Sequence, residues 1–79
     1  MTVDHDGKVP VYLQLAAILR AQIAAGQYAP GRAIPSESRL VQEHGLARET
    51  VRKAVRVLAA EGLVEVVRGR GVYVSDQSS

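Results

Sequence analysis

The residues best suited to chemistry are the cations between positions 48 and 56. Arg48, Arg52, Lys53 and Arg56 stand against the single carboxylate of Glu49, a local charge of +3 in a chain whose formal total is only +2. Arginine presents forked N–H donors that match the O6 and N7 acceptors of guanine or two phosphate oxygens. A second, smaller cluster lies near the C-terminus, where Arg68 and Arg70 flank Gly69, and Gly71 follows. Cations gathered on short elements point to an anionic partner more firmly than the net charge does. The plainer alternative is a solvated helix face.

Other chemistry has little support. The chain has no cysteine, which removes disulfides, thiolate metal sites and a cysteine nucleophile. His5 between Asp4 and Asp6 is a weak chelating triplet without fixed geometry, and His44 lies far from it, near a helix end where positive charge is favoured. Gly69-Arg70-Gly71 is not followed by the Gly-Lys-Ser/Thr of a phosphate-cradling loop. Ser36 has no evident base, and no pair of carboxylates suggests a cleft. No enzyme activity, cofactor or metal is expected.

For the cations to act together, the chain must lift them off a core. Its 79 residues are 47% apolar with only three aromatic side chains, all tyrosine. That suits one small domain, which buries only about 60% of its unfolded surface and must be economical. No apolar run is long enough to span a bilayer, and the N-terminus lacks a signal-peptide pattern.

Residues 1–9 read as a flexible tail, 10–75 as the domain and 76–79 as a second tail. Pro10 suits the first position of a helix, along which Tyr12, Leu15, Ala16, Leu19 and Ile23 recur at steps of three and four before Gly26. The segment 27–35 is a loop with a short extended piece at Ala33–Ile34. Ser36 can cap a second helix over Glu37–His44, which buries Leu40 and Val41 and stops at Gly45. A third helix starts near Arg48, buries Val51, Ala54, Val55 and Leu58, and closes at Gly62. Beyond it, Val64, Val66, Val67 and Val72, Tyr73, Val74 flank Gly69-Arg70-Gly71, the pattern of a β-hairpin, with glycine placed for a type II′ turn.

The expected fold is therefore mainly α with a small β-hairpin: a winged helix-turn-helix of three helices plus a wing. At about 100° per residue, Glu49, Arg52, Lys53 and Arg56 form a ridge opposite the Val51 stripe, with Arg48 at its edge. In such a fold the start of the third helix meets base edges in the major groove. Thr50 can offer a hydroxyl to phosphate or a methyl to thymine. Glu49 can accept from cytosine N4 or hold Arg52 or Lys53, the intrahelical pairing being favoured. Arg70 at the hairpin tip is placed to enter an adjacent groove or meet a phosphate, the alternative being a solvated turn. All of this requires guanidinium groups that stay clear of the chain's own carboxylates.

Tyr12-Leu13-Gln14-Leu15-Ala16, Ile23, Gly26, Tyr28, Pro30-Gly31 and Ile34-Pro35-Ser36-Glu37 together resemble the N-terminal domain of GntR-type bacterial transcription regulators. So do Gly45, Arg48-Glu49-Thr50-Val51-Arg52, Leu58, Glu61-Gly62-Leu63-Val64 and Gly69-Arg70-Gly71-Val72-Tyr73-Val74. The resemblance implies a cytoplasmic, sequence-specific regulator, usually a repressor, that binds double-stranded operator DNA as a homodimer on a palindrome. The positions it implicates are Ser36, Glu37, Ser38, Arg48, Thr50, Arg52, Gly69, Arg70 and Gly71. Ser38 stands where many members carry arginine, and Arg39 follows it, so that contact is lost or moved. Ala47 replaces the usual Ser or Thr before the third helix, which removes a cap worth roughly 0.5–2 kcal/mol. Members normally continue into an effector-binding, dimerising domain. Within this chain no small-molecule effector site is expected, whether it is a free-standing short regulator or an excised domain. The rival reading is a winged helix used for protein contacts.

Overall fold

The computed structural model describes residues 3, 4 and 6–76. His5 and residues 77–79 lie outside the described residues. Three helices are followed by a two-stranded antiparallel hairpin: α1 (Val11–Ala24), α2 (Glu37–His44), α3 (Arg48–Ala60), β1 (Val64–Val67) and β2 (Gly71–Val74).

The core is the meeting of α1 and α3. Leu15, Ala16 and Leu19 from α1 and Val51, Ala54 and Leu58 from α3 are fully buried, and Leu40 of α2, Leu46 of the turn and Val64 of β1 close the cluster. Truncating one of these leucines to alanine typically costs about 2–5 kcal/mol, a large share of what a domain this small has. The buried face of α1 is wider than the periodicity implies. Ile18 is also buried, bordering a surface hollow lined by Gly7, Val9 and Leu13.

Pro10 sits one position earlier than expected: it flanks α1 as the N-cap with extended backbone rather than as its first helical residue. Its carbonyl still accepts the first amides, from Leu13 and Gln14. The segment before it, expected as a flexible tail, makes defined contacts. Gln14 accepts the Asp4 amide at 2.6 Å through Oε1 and donates from Nε2 to the carbonyls of Asp4 (2.6 Å) and Val9 (2.8 Å).

The second helix begins and ends at residues whose chemistry suits its caps. Ser36 Oγ accepts the Arg39 amide at 3.1 Å, satisfying one of the donors left over at the start of α2. Gly45 takes φ +62°, a left-handed conformation in which a side chain is penalised, and so turns the chain sharply toward α3. Ala47 caps α3 without any side-chain bond.

The hairpin pairs Val64 with Val74 and Val67 with Gly71, which leaves Arg68, Gly69 and Arg70 in the loop. The Arg70 amide returns to the Val67 carbonyl at 3.0 Å, so Gly69, at φ +77°, is the third residue of the turn. Positive φ at that position belongs to a type II turn, not to the type II′ turn expected from the glycine spacing. β2 is also held on its other edge. Ala33 bridges Tyr73, the Ile34 amide donates to Val72 and the Val74 amide donates to Arg32 at 2.8 Å. The extended piece read at Ala33–Ile34 is thus a rudimentary third strand.

Candidate nucleic-acid interface

The cations divide according to what packs beside them. Val51 and Val55 face the core, so Arg48, Arg52 and Arg56 emerge on the flank of α3 that looks toward α2 and the wing. Lys53 emerges on the other flank, its Nζ 5.7 Å from the centre of the Tyr12 ring of α1. It is therefore set apart from the ridge that helical projection alone assigns to it. The Tyr12 ring is half-buried against the core, and a cation near such a ring is held by a weak attraction.

Three separated stretches of sequence meet in one groove. Ser36 and Glu37 at the start of α2, Arg52 on α3, and Arg68 to Gly71 at the wing tip line a shallow concavity of about 590 Å³. Arg70 and Gly69 are exposed at its rim, together with Arg68. Neither Arg68 nor Arg70 has a carboxylate partner among the described residues. Arg68 was not singled out from the sequence as a site residue, although its place beside Gly69 and Arg70 was the available signal. A smaller, mostly apolar cleft of about 230 Å³ adjoins the groove, where Pro35, Leu40 and Val55 meet Val66 and Val72 of the hairpin.

The requirement that the guanidinium groups stay clear of the chain's own carboxylates is not met. Arg48 Nη1 donates to Glu37 Oε1 at 2.7 Å, and Arg52 Nε donates to Glu37 Oε2 at 2.8 Å. The cause is the helix-turn-helix angle, which sets the first turn of α2 against the first turns of α3. The paired arginines hold the Glu37 carboxyl below the usual glutamate range, Arg52 contributing more than Arg48. Glu37, expected as a DNA contact, bridges two of the other candidates. Capping by one carboxylate does not use up the arginines. Each guanidinium carries five N–H donors, and Glu37 takes one from each. Both side chains stay about half exposed, Arg48 at 53% and Arg52 at 51%.

The remaining candidates fall into place around this bridge. Ser38 Oγ accepts weakly from Arg48 Nη1 at 3.4 Å. Arg39 turns along its own helix to Glu43 at 2.9 Å, and Ser36 is occupied as the cap of α2. Glu49 reaches Arg56 at 3.4 Å and lies 4.0 Å from Arg52, which fits the favoured intrahelical pairing for Arg52 but not for Lys53. Thr50 is half-buried at the start of α3.

Helix, helix, tight turn, helix and hairpin, with cations on the third helix and at the hairpin tip, define a winged helix-turn-helix protein. The chain belongs to the gntR family of bacterial regulatory proteins, whose sequence profile matches residues 11–74. It is 44% identical over 71 residues to the mannosyl-D-glycerate transport/metabolism system repressor MngR of Escherichia coli, covering 90% of this chain and 30% of that protein. It is 36% identical over 75 residues to the transcriptional repressor NagR of Bacillus subtilis, covering 95% of this chain and 31% of that one. The chain thus spans less than a third of the length of these repressors. Among solved structures, the DNA-binding domain of AraR in complex with operator ORE1 matches with TM-score 0.85 and 31% identity, over 95% of this chain and 94% of that one. YtrA from Sulfolobus acidocaldarius, a GntR-family transcription factor, matches with TM-score 0.86 and 34% identity over 98% of this chain and 81% of that one. Among the described residues no helix is long and apolar enough to cross a membrane.

Proposed function

We propose that this chain is the operator-reading unit of a bacterial transcription repressor. α3 lies in the major groove, the start of α2 faces the phosphate backbone, and the wing tip enters the neighbouring groove or meets its phosphates. The observation that carries this reading is the shared groove: Arg52 and the Arg68–Gly71 tip line one concavity although they are far apart in sequence. The likeness to a domain crystallised on its operator supports it.

Arg48 and Arg52 are the base readers. Arg56, Lys53, Arg68 and Arg70 bind phosphate or sense groove width, a term that weakens as salt rises. One copy covers one half-site, and two half-sites about one helical turn apart call for a dimer on a palindromic operator. A role in protein contacts would place large apolar anchors on this face. There the exposed large apolar residue is Val66, and Arg52 and Arg56 border it.

Selection of bound duplexes from a random pool at two salt concentrations tests the proposal. The expected result is a palindromic consensus with guanines at the positions read by arginine. Recovery of unselected sequence at both salts would overturn it.

A further inference from the structure

Resting on that reading, we infer that Glu37 is a specificity-determining positioning residue: it tunes Arg48 and Arg52 for guanine and against indiscriminate phosphate binding, without itself touching DNA.

The argument begins with which donors the carboxylate takes. Arginine can grip two acceptors with the edge formed by Nε and Nη2 or with the terminal edge formed by Nη1 and Nη2. Glu37 binds Nε of Arg52, which occupies the first edge and leaves the terminal edge without a hydrogen bond, its Nη1 4.0 Å from Glu49. It binds Nη1 of Arg48, which leaves the Nε and Nη2 edge free. Each arginine therefore keeps one complete fork, held by a fixed partner. The anchor is itself fixed, because Glu37 is the first residue of α2 and follows directly on the Ser36 cap. Its side chain is only 31% exposed, less than either arginine it holds.

Charge points the same way. Two guanidinium groups and one carboxylate present a single net positive charge to the duplex where two free arginines would present two. Non-specific affinity comes almost wholly from neutralising phosphates, so a carboxylate at the centre of the reading surface lowers it. Specific affinity depends on geometry, which the same carboxylate improves by ordering two flexible side chains before binding. Specificity is the difference between the two, and Glu37 acts on both.

The test compares Glu37→Gln with Glu49→Gln in the whole chain. Each removes one negative charge from the same face, but only Glu37 hydrogen-bonds two arginines; Glu49 hydrogen-bonds Arg56 alone and lies 4.0 Å from Arg52. Affinities are measured for the selected duplex and for a scrambled duplex across a salt series. For Glu49→Gln, both affinities should rise together. For Glu37→Gln, scrambled-duplex affinity should rise with a salt slope steeper by about 1. The ratio of selected to scrambled affinity should fall by about tenfold, the discrimination one well-set arginine fork supplies. Equal behaviour of the two variants would overturn the inference. So would loss of preference at a single base pair with the salt slope unchanged, which would make Glu37 a direct reader. A drop in Tm with the ratio unchanged would reduce it to a helix-start residue. Failure of the unsubstituted chain to discriminate the two duplexes would instead overturn the DNA-binding proposal itself.

Discussion

Two arginine–glutamate clusters sit at opposite ends of α3, and they use the same chemistry differently. At the C-terminal end, Arg20 of α1 offers Nε and Nη2 to the two oxygens of Glu61, at 2.9 and 2.6 Å. One whole edge of the guanidinium meets one carboxylate, and α1 is stapled to the end of α3. At the N-terminal end, one carboxylate is divided between two arginines, and a complete fork is left on each. The first pair joins two helices fork to carboxylate; the second holds two arginines side by side at the face that the proposed function assigns to DNA.

That contrast can be broken in order of expected effect. Arg52→Ala should lower affinity for the selected duplex on the order of ten- to a hundredfold and relax preference at one base pair, with Tm nearly unchanged. Competition binding against single-position variants of the duplex measures it. A uniform loss across all of them would show that Arg52 only binds phosphate.

Gly69→Val should come next. A β-branched residue at φ +77° is strained by about 1–3 kcal/mol, and the wing would repack or lose its turn. Affinity should fall while thermal unfolding of the helical core changes less; unchanged binding would remove the wing from the interface. Ala47→Ser works in the opposite direction. Supplying the missing cap should stabilise the domain by roughly 0.5–2 kcal/mol, read from denaturant midpoints.

Lys53→Ala should weaken binding evenly across sequences and flatten the salt slope by about 1. The smallest effect belongs to the other end of the helix. Arg20→Gln should shift Tm only slightly, as exposed ion pairs do, and leave every DNA measurement alone. Both carboxylates respond to acid in the same sense. The folded Glu37 and Glu61 side chains are held below the ordinary glutamate range, so their contribution is present above that range and is lost as pH falls through their lowered values. Carboxyl-carbon NMR titration should show both midpoints below the ordinary glutamate range.

Much of the fold was legible because its punctuation is local. Ser36, Gly45 and Gly62 bound α2 and α3 by chemistry that acts within one helical turn, and those boundaries agree with the structure. The wing turn was misread because Gly69 and Gly71 offer two turn frames; the choice is made by Val67 pairing with Gly71. The arginines were legible as residue types, since apolar periodicity separates them from the core. Their partners were not. Glu37 lies 11 and 15 residues from Arg48 and Arg52, beyond any rule of helical spacing, and meets them only because two helices cross. Tyr12 likewise reaches Lys53 only through the packing of α1 on α3. Local rules find elements; the donor bookkeeping of a surface is a property of the assembled molecule.

The strand that carries the wing is gripped along both edges, by β1 on one side and by the Ala33 bridge on the other. A hairpin moored in this way cannot pivot as a paddle from its base. Whatever adjustment the hairpin makes is confined to the last few peptide units around Gly69, so the reach proposed for the wing is set when the protein folds.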